Sequence, residues 1–268
     1  MIQLLQIEWI KLRRYRSFWI MLALHIGGIL LIASSFDYFM TKFIKGEIRR
    51  SGIPIPNLPI TEFSDVWMHI TWLSVFVRVF LGMLVITMIT NEFTYKTARQ
   101  NIIDGWDRKD FLWAKVAQII ILSGLSTVVV AITCTFLGVT SNIDSLSYFF
   151  DKIYYLGVYF LQVSVYLCFC LLLGILIRRS GLAIVSLMGY SIFEIYLLGK
   201  TYNKDHLEWL TYFPFNTPLN VVQPSLSKYI PNSGDFVQTI SFMSLIPAFL
   251  YIGIFIGLVY TFLKNKDL

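Results

Sequence analysis

The chain has 268 residues, 56% of them hydrophobic and only 14% charged, with a formal net charge of +6 and a mean hydropathy of +0.67. Soluble domains carry roughly 25% charged residues, so this chain is solvated mostly by lipid and an ordinary soluble domain is excluded. The basic residues flank apolar stretches instead of forming a basic domain, so no nucleic-acid partner is expected.

Met1–Ser17 places Ile2, Leu5, Trp9 and Leu12 at helical spacing opposite Gln3, Gln6, Lys11, Arg13 and Arg14. This is the pattern of a basic amphipathic helix lying in an interfacial headgroup layer. The apolar stretch that follows lacks a small-residue cleavage site and is long enough to span, so it does not read as a removed signal sequence.

Six segments are expected to cross a membrane: 18–36, 67–90, 116–139, 153–177, 182–198 and 239–263. About 20 residues at 1.5 Å each cross the hydrocarbon core, and helices satisfy their backbone groups without closing a barrel. None of the six shows period-2 alternation. The expected fold is an all-α integral membrane protein, one transmembrane domain over residues 1–268. Six crossings place both termini on one side. With that side cytoplasmic, the inner segments hold 13 Lys and Arg in 51 residues and the outer ones 8 in 83, the bias of the positive-inside rule. A bacterial cytoplasmic membrane is the expected location.

Seven of the eight prolines lie in the two long outer loops, where they break helices at no cost to membrane hydrogen bonds. Residues 36–50 keep helical apolar spacing, so the first span is expected to run on along the outer surface. Residues 199–238 are dense in aromatics, which favours an external, interfacial or shallowly re-entrant cap. Cys134, Cys168 and Cys170 all fall inside apolar spans and suggest no disulfide framework.

The stretch 91–115, NEFTYKTARQNIIDGWDRKDFLWAK, is a charged run set directly between two long apolar segments. Asp107, with Asp110 three residues on, reads as a helix N-cap with an acidic first turn, and Gly105 permits a sharp corner. The expectation is a short helix over 93–103, a corner at 104–106 and a new helix from Arg108. Trp106 and Trp113 then mark the interface.

Glu92, Thr97, Arg99, Ile103, Gly105-x-x-Arg108 and Lys115 resemble the coupling elbow of ABC-2 type transporter permeases. The layout of interfacial helix, six spans, short inner loops and a long external stretch before the last span is similar too. Lys96 stands where many members have Gly, and Asp107 where Ser is usual. The resemblance implies the membrane subunit of an ABC exporter, with Glu92, Thr97, Arg99, Gly105, Arg108 and Lys115 coupling to a cytoplasmic ABC ATPase subunit. It also implies a dimer with a second copy or a sister permease, set in a lipid bilayer. ATP and Mg would be bound by the partner chain; this chain is expected to be non-catalytic and to hold no cofactor or metal of its own.

Arg78 falls at the middle of the second span. A mid-membrane Arg costs about 2.5–3.5 kcal/mol on insertion scales, so it is expected to face a cavity or a partner. Glu194 is the one acidic residue inside another span. The two are expected to line a transport path and to be able to pair, with a structural ion pair as the alternative. Their nominal depths differ by several residues. His25 is expected to hydrogen-bond across helices, Pro247 to kink the last span, and Gly253-x-x-x-Gly257 to permit close helix approach.

Two other function classes compete with the permease. A membrane-embedded enzyme would need a metal or nucleophile arrangement, but His25, His69 and His206 are dispersed and no His-Glu-x-x-His is present. A secondary transporter would be expected to show paired broken helices and internal repeats.

Overall fold

In a computed structural model the chain is all-helical among the residues described, which are 2–39, 63, 65–103, 105–201, 212–216 and 242–265. The elements are α1 (Ile2–Arg14), α2 (Arg16–Phe39), α3 (Asp65–Ser74), a 3₁₀ turn at Val75–Val77, and α4 (Arg78–Thr94). Then come α5 (Thr97–Ile103), α6 (Arg108–Ser141), a 3₁₀ segment at Ile143–Tyr148, α7 (Tyr154–Ile177), α8 (Ser180–Thr201), a 3₁₀ turn at Phe242–Leu245, and α9 (Ile246–Asn265).

Six helical stretches are long and apolar enough to cross a membrane: Arg16–Phe36, Asp65–Thr94, Arg108–Ser141, Tyr154–Ile177, Ser180–Leu197 and Ile246–Asn265. The chain is a multi-pass membrane protein. The expected six segments match these in number and order. The third is longer than anticipated: 34 residues at 1.5 Å each make about 51 Å, well beyond a hydrocarbon core of about 30 Å. Most of the aromatic stretch 199–238 lies outside the described residues, as does 40–62.

α7 is the axis of the bundle. It is apolar on every side, the mark of a helix surrounded by others, and it packs against α3, α4, α6, α8 and α9. Small residues set the close approaches. A side chain at Gly82 of α4 would meet Tyr166 and Cys170 of α7 at 2.7 and 2.9 Å, and one at Gly28 of α2 would run into Val77. All three cysteines are free and buried. At Gly253 and Gly257 no other helix makes the close approach among the described residues, where nothing comes within 4 Å of a Cβ at either position.

The second crossing is not one continuous α-helix. The 3₁₀ turn at Val75–Val77 divides α3 from α4, the kind of interruption at which long helices often hinge or store strain. His25 of α2 lies against this break, its Nδ1 3.1 Å from the Val77 carbonyl and its Nε2 2.8 Å from Ser126 Oγ of α6, which is 2.8 Å from the Tyr159 hydroxyl of α7. A carbonyl can only accept, so Nδ1 donates. In a neutral ring Nε2 then accepts from Ser126, and Tyr159 donates to Ser126. The expected cross-helix role of His25 is met, through a buried chain that joins α2, α6, α7 and the 3₁₀ turn.

The end of α3 away from the hinge is pinned. Lys152 Nζ donates to Asp65 at 2.8 Å, Trp67 Nε1 donates to the Phe149 carbonyl at 3.0 Å, and the rings of Phe63, Trp67 and Phe149 pack together.

Candidate functional site

Two groups of buried charge stand at different depths in the bundle. The first lies where α1, the end of α4 and the start of α6 meet. Lys115 Nζ donates to Glu8 Oε2 and to Glu92 Oε1, each at 2.5 Å. Gln118 Nε2 donates to Glu8 Oε2 at 2.6 Å, and Lys11 reaches Glu8 Oε1 at 3.2 Å. Glu8 and Lys115 are each 2% exposed. Burial raises the Glu8 carboxyl, but the Lys115 ammonium, aided by Lys11 and Gln118, outweighs it and holds the group below its ordinary value. One ammonium thus ties three helices. Losing one partner of such a buried pair leaves an uncompensated charge, which is why these contacts are costly to break.

Glu8 was not singled out in the sequence, though its signal is there. It is the one carboxylate in the first 36 residues, and it is spaced from Leu5 and Leu12 as a member of the apolar stripe. A carboxylate on that stripe needs a cation beneath the helix, and Lys115 supplies it.

The charged elbow sits on this clamp. α4 continues two residues beyond Glu92, further than expected, and the chain breaks at Tyr95 and Lys96 instead. Lys96 adopts a left-handed φ of 57°, with its N–H donating to the Phe93 carbonyl at 3.2 Å and its carbonyl accepting from Gln100 N–H at 3.1 Å. The elbow helix α5 therefore covers Thr97–Ile103 only. The corner matches expectation: Gly105 has φ 96°, and Asp107 with Asp110 forms a reciprocal capping box that starts α6.

Of the residues assigned to coupling, three turn inward. Glu92 and Lys115 face each other in the clamp. Arg108 Nη1 donates to the carbonyls of Leu263, at 2.9 Å, and Lys264, closing the free C-terminal carbonyls of α9. Thr97 Oγ1 donates to the Glu92 carbonyl at 3.4 Å, and Gly105 is at the corner. Arg99 lies on α5, its side chain outside the described residues. Lys11 lies 5.8 Å over the Trp106 ring and ties the corner to α1. Among the described residues of 91–115, the exposed side chains are Thr94, Tyr95, Lys96, Gln100, Ile103, Asp107, Lys109, Asp110 and Trp113.

The second group surrounds Arg78, the first residue of α4 after the 3₁₀ turn and only 7% exposed. Its guanidinium lies over the rings of Tyr166 at 4.5 Å and Phe215 at 5.2 Å. Phe215 belongs to 212–216, a piece of the long aromatic stretch that tucks among α4, α7 and α8, its ring packed against Tyr166, Phe169 and Tyr190. The Phe215 N–H donates to Glu194, at 3.1 Å to Oε2. Arg78 and Glu194 line one cavity of about 340 Å³, together with Val75, Phe76, Ile192 and Asn216.

The anticipated mismatch in depth disappears, because α4 runs on to Thr94 and α8 begins immediately after α7. The anticipated direct pairing does not occur: no ion pair within 4 Å joins Arg78 to Glu194 among the described residues. Phe215 stands between them, giving its ring to one and its N–H to the other. Nothing in the periodicity of a loop foretells that contact.

Among the described residues no group of three or more metal-ligating side chains comes together. The profile of a protein family described as "Protein of unknown function (DUF2705)" matches residues 20–268. No curated protein matches the chain.

Proposed function

The chain belongs to this DUF2705 family, and we propose that it serves as the permease subunit of an ATP-driven ABC exporter in a bacterial cytoplasmic membrane. It works as a dimer with itself or a sister permease, and a separate cytoplasmic subunit hydrolyses ATP. In this reading α1 is the interfacial helix, α5 is the coupling helix, and both lie on the cytoplasmic side.

The observation that carries the reading is the clamp of Glu8, Lys115 and Glu92. A coupling element must be stiff and joined directly to membrane helices, because a compliant segment would absorb a push from a partner. Here the elbow is fixed to α1 through Lys11 and Trp106, to α9 through Arg108, and to α4 and α6 through Lys115. A polar and partly apolar face of α5 and its corner remains free for a soluble partner. The left-handed backbone at Lys96 supports the same reading, since that conformation favours Gly, the residue that resembling permeases carry there.

The mechanism follows from where the chain can bend. Closure of the ATPase subunits displaces the elbow, which moves α4 and α6 together because Glu92 and Lys115 are joined. α3 is held by Lys152 and Phe149, so the 3₁₀ turn at Val75–Val77 takes up the motion. Arg78 sits on the moving side of that hinge, and the path it lines with Glu194 changes shape.

The test is purification of the full chain from its own cells in mild detergent. The expected companion is an ATP-binding subunit, and association should fall at least about tenfold on Tyr95→Asp with Gln100→Asp, a loss of about 1.4 kcal/mol. An unchanged complex, or labelling of Lys96 from outside intact cells, would contradict the proposal.

A further inference from the structure

The Arg78 cavity contains two donors without acceptors. Arg78 Nη1 and Asn216 Nδ2 are both buried and neither has a hydrogen-bond partner, yet both residues line the same space. A buried, unpaired donor is costly to retain, and more so when it is charged. The rings of Tyr166 and Phe215, their centroids 4.8 Å apart, lie together on one side of the guanidinium, so its remaining capacity lies away from them, at its open edge. An edge of two parallel N–H groups matches a phosphate or carboxylate.

Glu194 lines the cavity from α8 without touching Arg78. The space therefore presents one cation and one anion held apart, a poor fit for a ligand of a single charge sign. Its mouth is apolar: Phe76 is 62% exposed and Ile192 68% exposed, and both lie on membrane-crossing helices. A volume of about 340 Å³ suits a small polar head and is at the low end of ligand pockets, leaving no room for a pair of acyl chains.

We propose that this cavity binds the head of a zwitterionic amphiphile, its phosphate on Arg78 and Asn216 and its ammonium on Glu194, with its chains lying along Phe76 and Ile192 in the bilayer. The site lies on the path proposed above and rests on that reading for any role in transport. Binding itself is a property of this chain alone and is tested without an ATPase.

The experiment is native mass spectrometry of the purified full chain, titrated separately with phosphatidylethanolamine, phosphatidylglycerol, soluble glycerophosphoethanolamine and inorganic phosphate. Phosphatidylethanolamine is expected to bind tightest, and Arg78→Gln to weaken it about tenfold, the scale of one charge-assisted pair. Arg78→Lys keeps the charge without the fork and should fall between the two. Glu194→Gln should erase the preference over phosphatidylglycerol, and Lys264→Gln, remote from the cavity, should change nothing. Equal binding by wild type and Arg78→Gln would overturn the proposal. So would phosphatidylglycerol or either soluble probe binding as tightly as phosphatidylethanolamine. Dimer dissociation on Arg78→Gln without loss of lipid would also overturn it, since a second copy would then be the occupant.

Discussion

Lys115 and Arg78 are both buried cations on membrane-crossing helices, and the bundle treats them in opposite ways. Lys115 is closed off by the carboxylates of Glu8 and Glu92, from two other helices, and Gln118 donates in turn to Glu8. Arg78 is given two aromatic faces and no carboxylate, with a cavity at its edge. A cation engaged by two carboxylates from different helices holds those helices together. One whose edge is left open has capacity to spend on something that arrives later.

The largest predicted effect separates the two. Lys115→Met strands Glu8 and Glu92 against each other and should cost about 3–5 kcal/mol of stability, read as a lower unfolding temperature in detergent. Adding Glu92→Gln should restore part of that loss, because one buried charge is then removed. Acidification should undo the same clamp by another route. A carboxyl held below its ordinary value of 4.5 contributes stability that is complete above that value and is lost as pH falls through the depressed one. The Glu8 contact should therefore weaken as pH falls below about 4.5 in wild type, read as faster proteolysis of the α1 segment, whereas Lys115→Met should be cleaved readily at neutral pH.

Gly82→Leu should come next, at about 1–3 kcal/mol for overpacking, because its side chain would enter the space of Tyr166, the ring beneath Arg78. Its signature is loss of stability together with loss of the Arg78 cavity. Arg78→Met should move stability by less than about 1 kcal/mol, or raise it, since an unpaired buried charge is exchanged for an apolar side chain of similar length. A loss as large as that of Lys115→Met would erase the contrast between the two cations. Gly253→Ala should be the smallest, within about 0.5 kcal/mol, because its methyl meets nothing within 4 Å among the described residues.

The number and order of the crossings were legible from apolar run length, and the Asp107 cap and Gly105 corner from local turn chemistry. These depend on residues within a few positions of one another. The roles of Glu92, Arg108 and Lys115 were not legible. A charged residue in a polar stretch looks the same whether it faces water or a partner 107 positions away. Glu8 could have been found, as a carboxylate placed on an apolar stripe. The 3₁₀ turn at Val75–Val77 could not, since no Pro or Gly marks it; it is sustained by His25 from another helix. The placement of Phe215 between Arg78 and Glu194 is likewise a tertiary fact.

The account depends most on α1, the elbow and the ends of α4 and α6 moving as one body. Hydrogen exchange of the full chain, followed over residues 2–14 and 97–103 in wild type and in Lys115→Met, tests that directly. Both segments should be slow in wild type and should loosen together in the variant. If the elbow exchanged at the same rate in both proteins, the clamp would not stiffen it, and the proposed lever would have no stiff base.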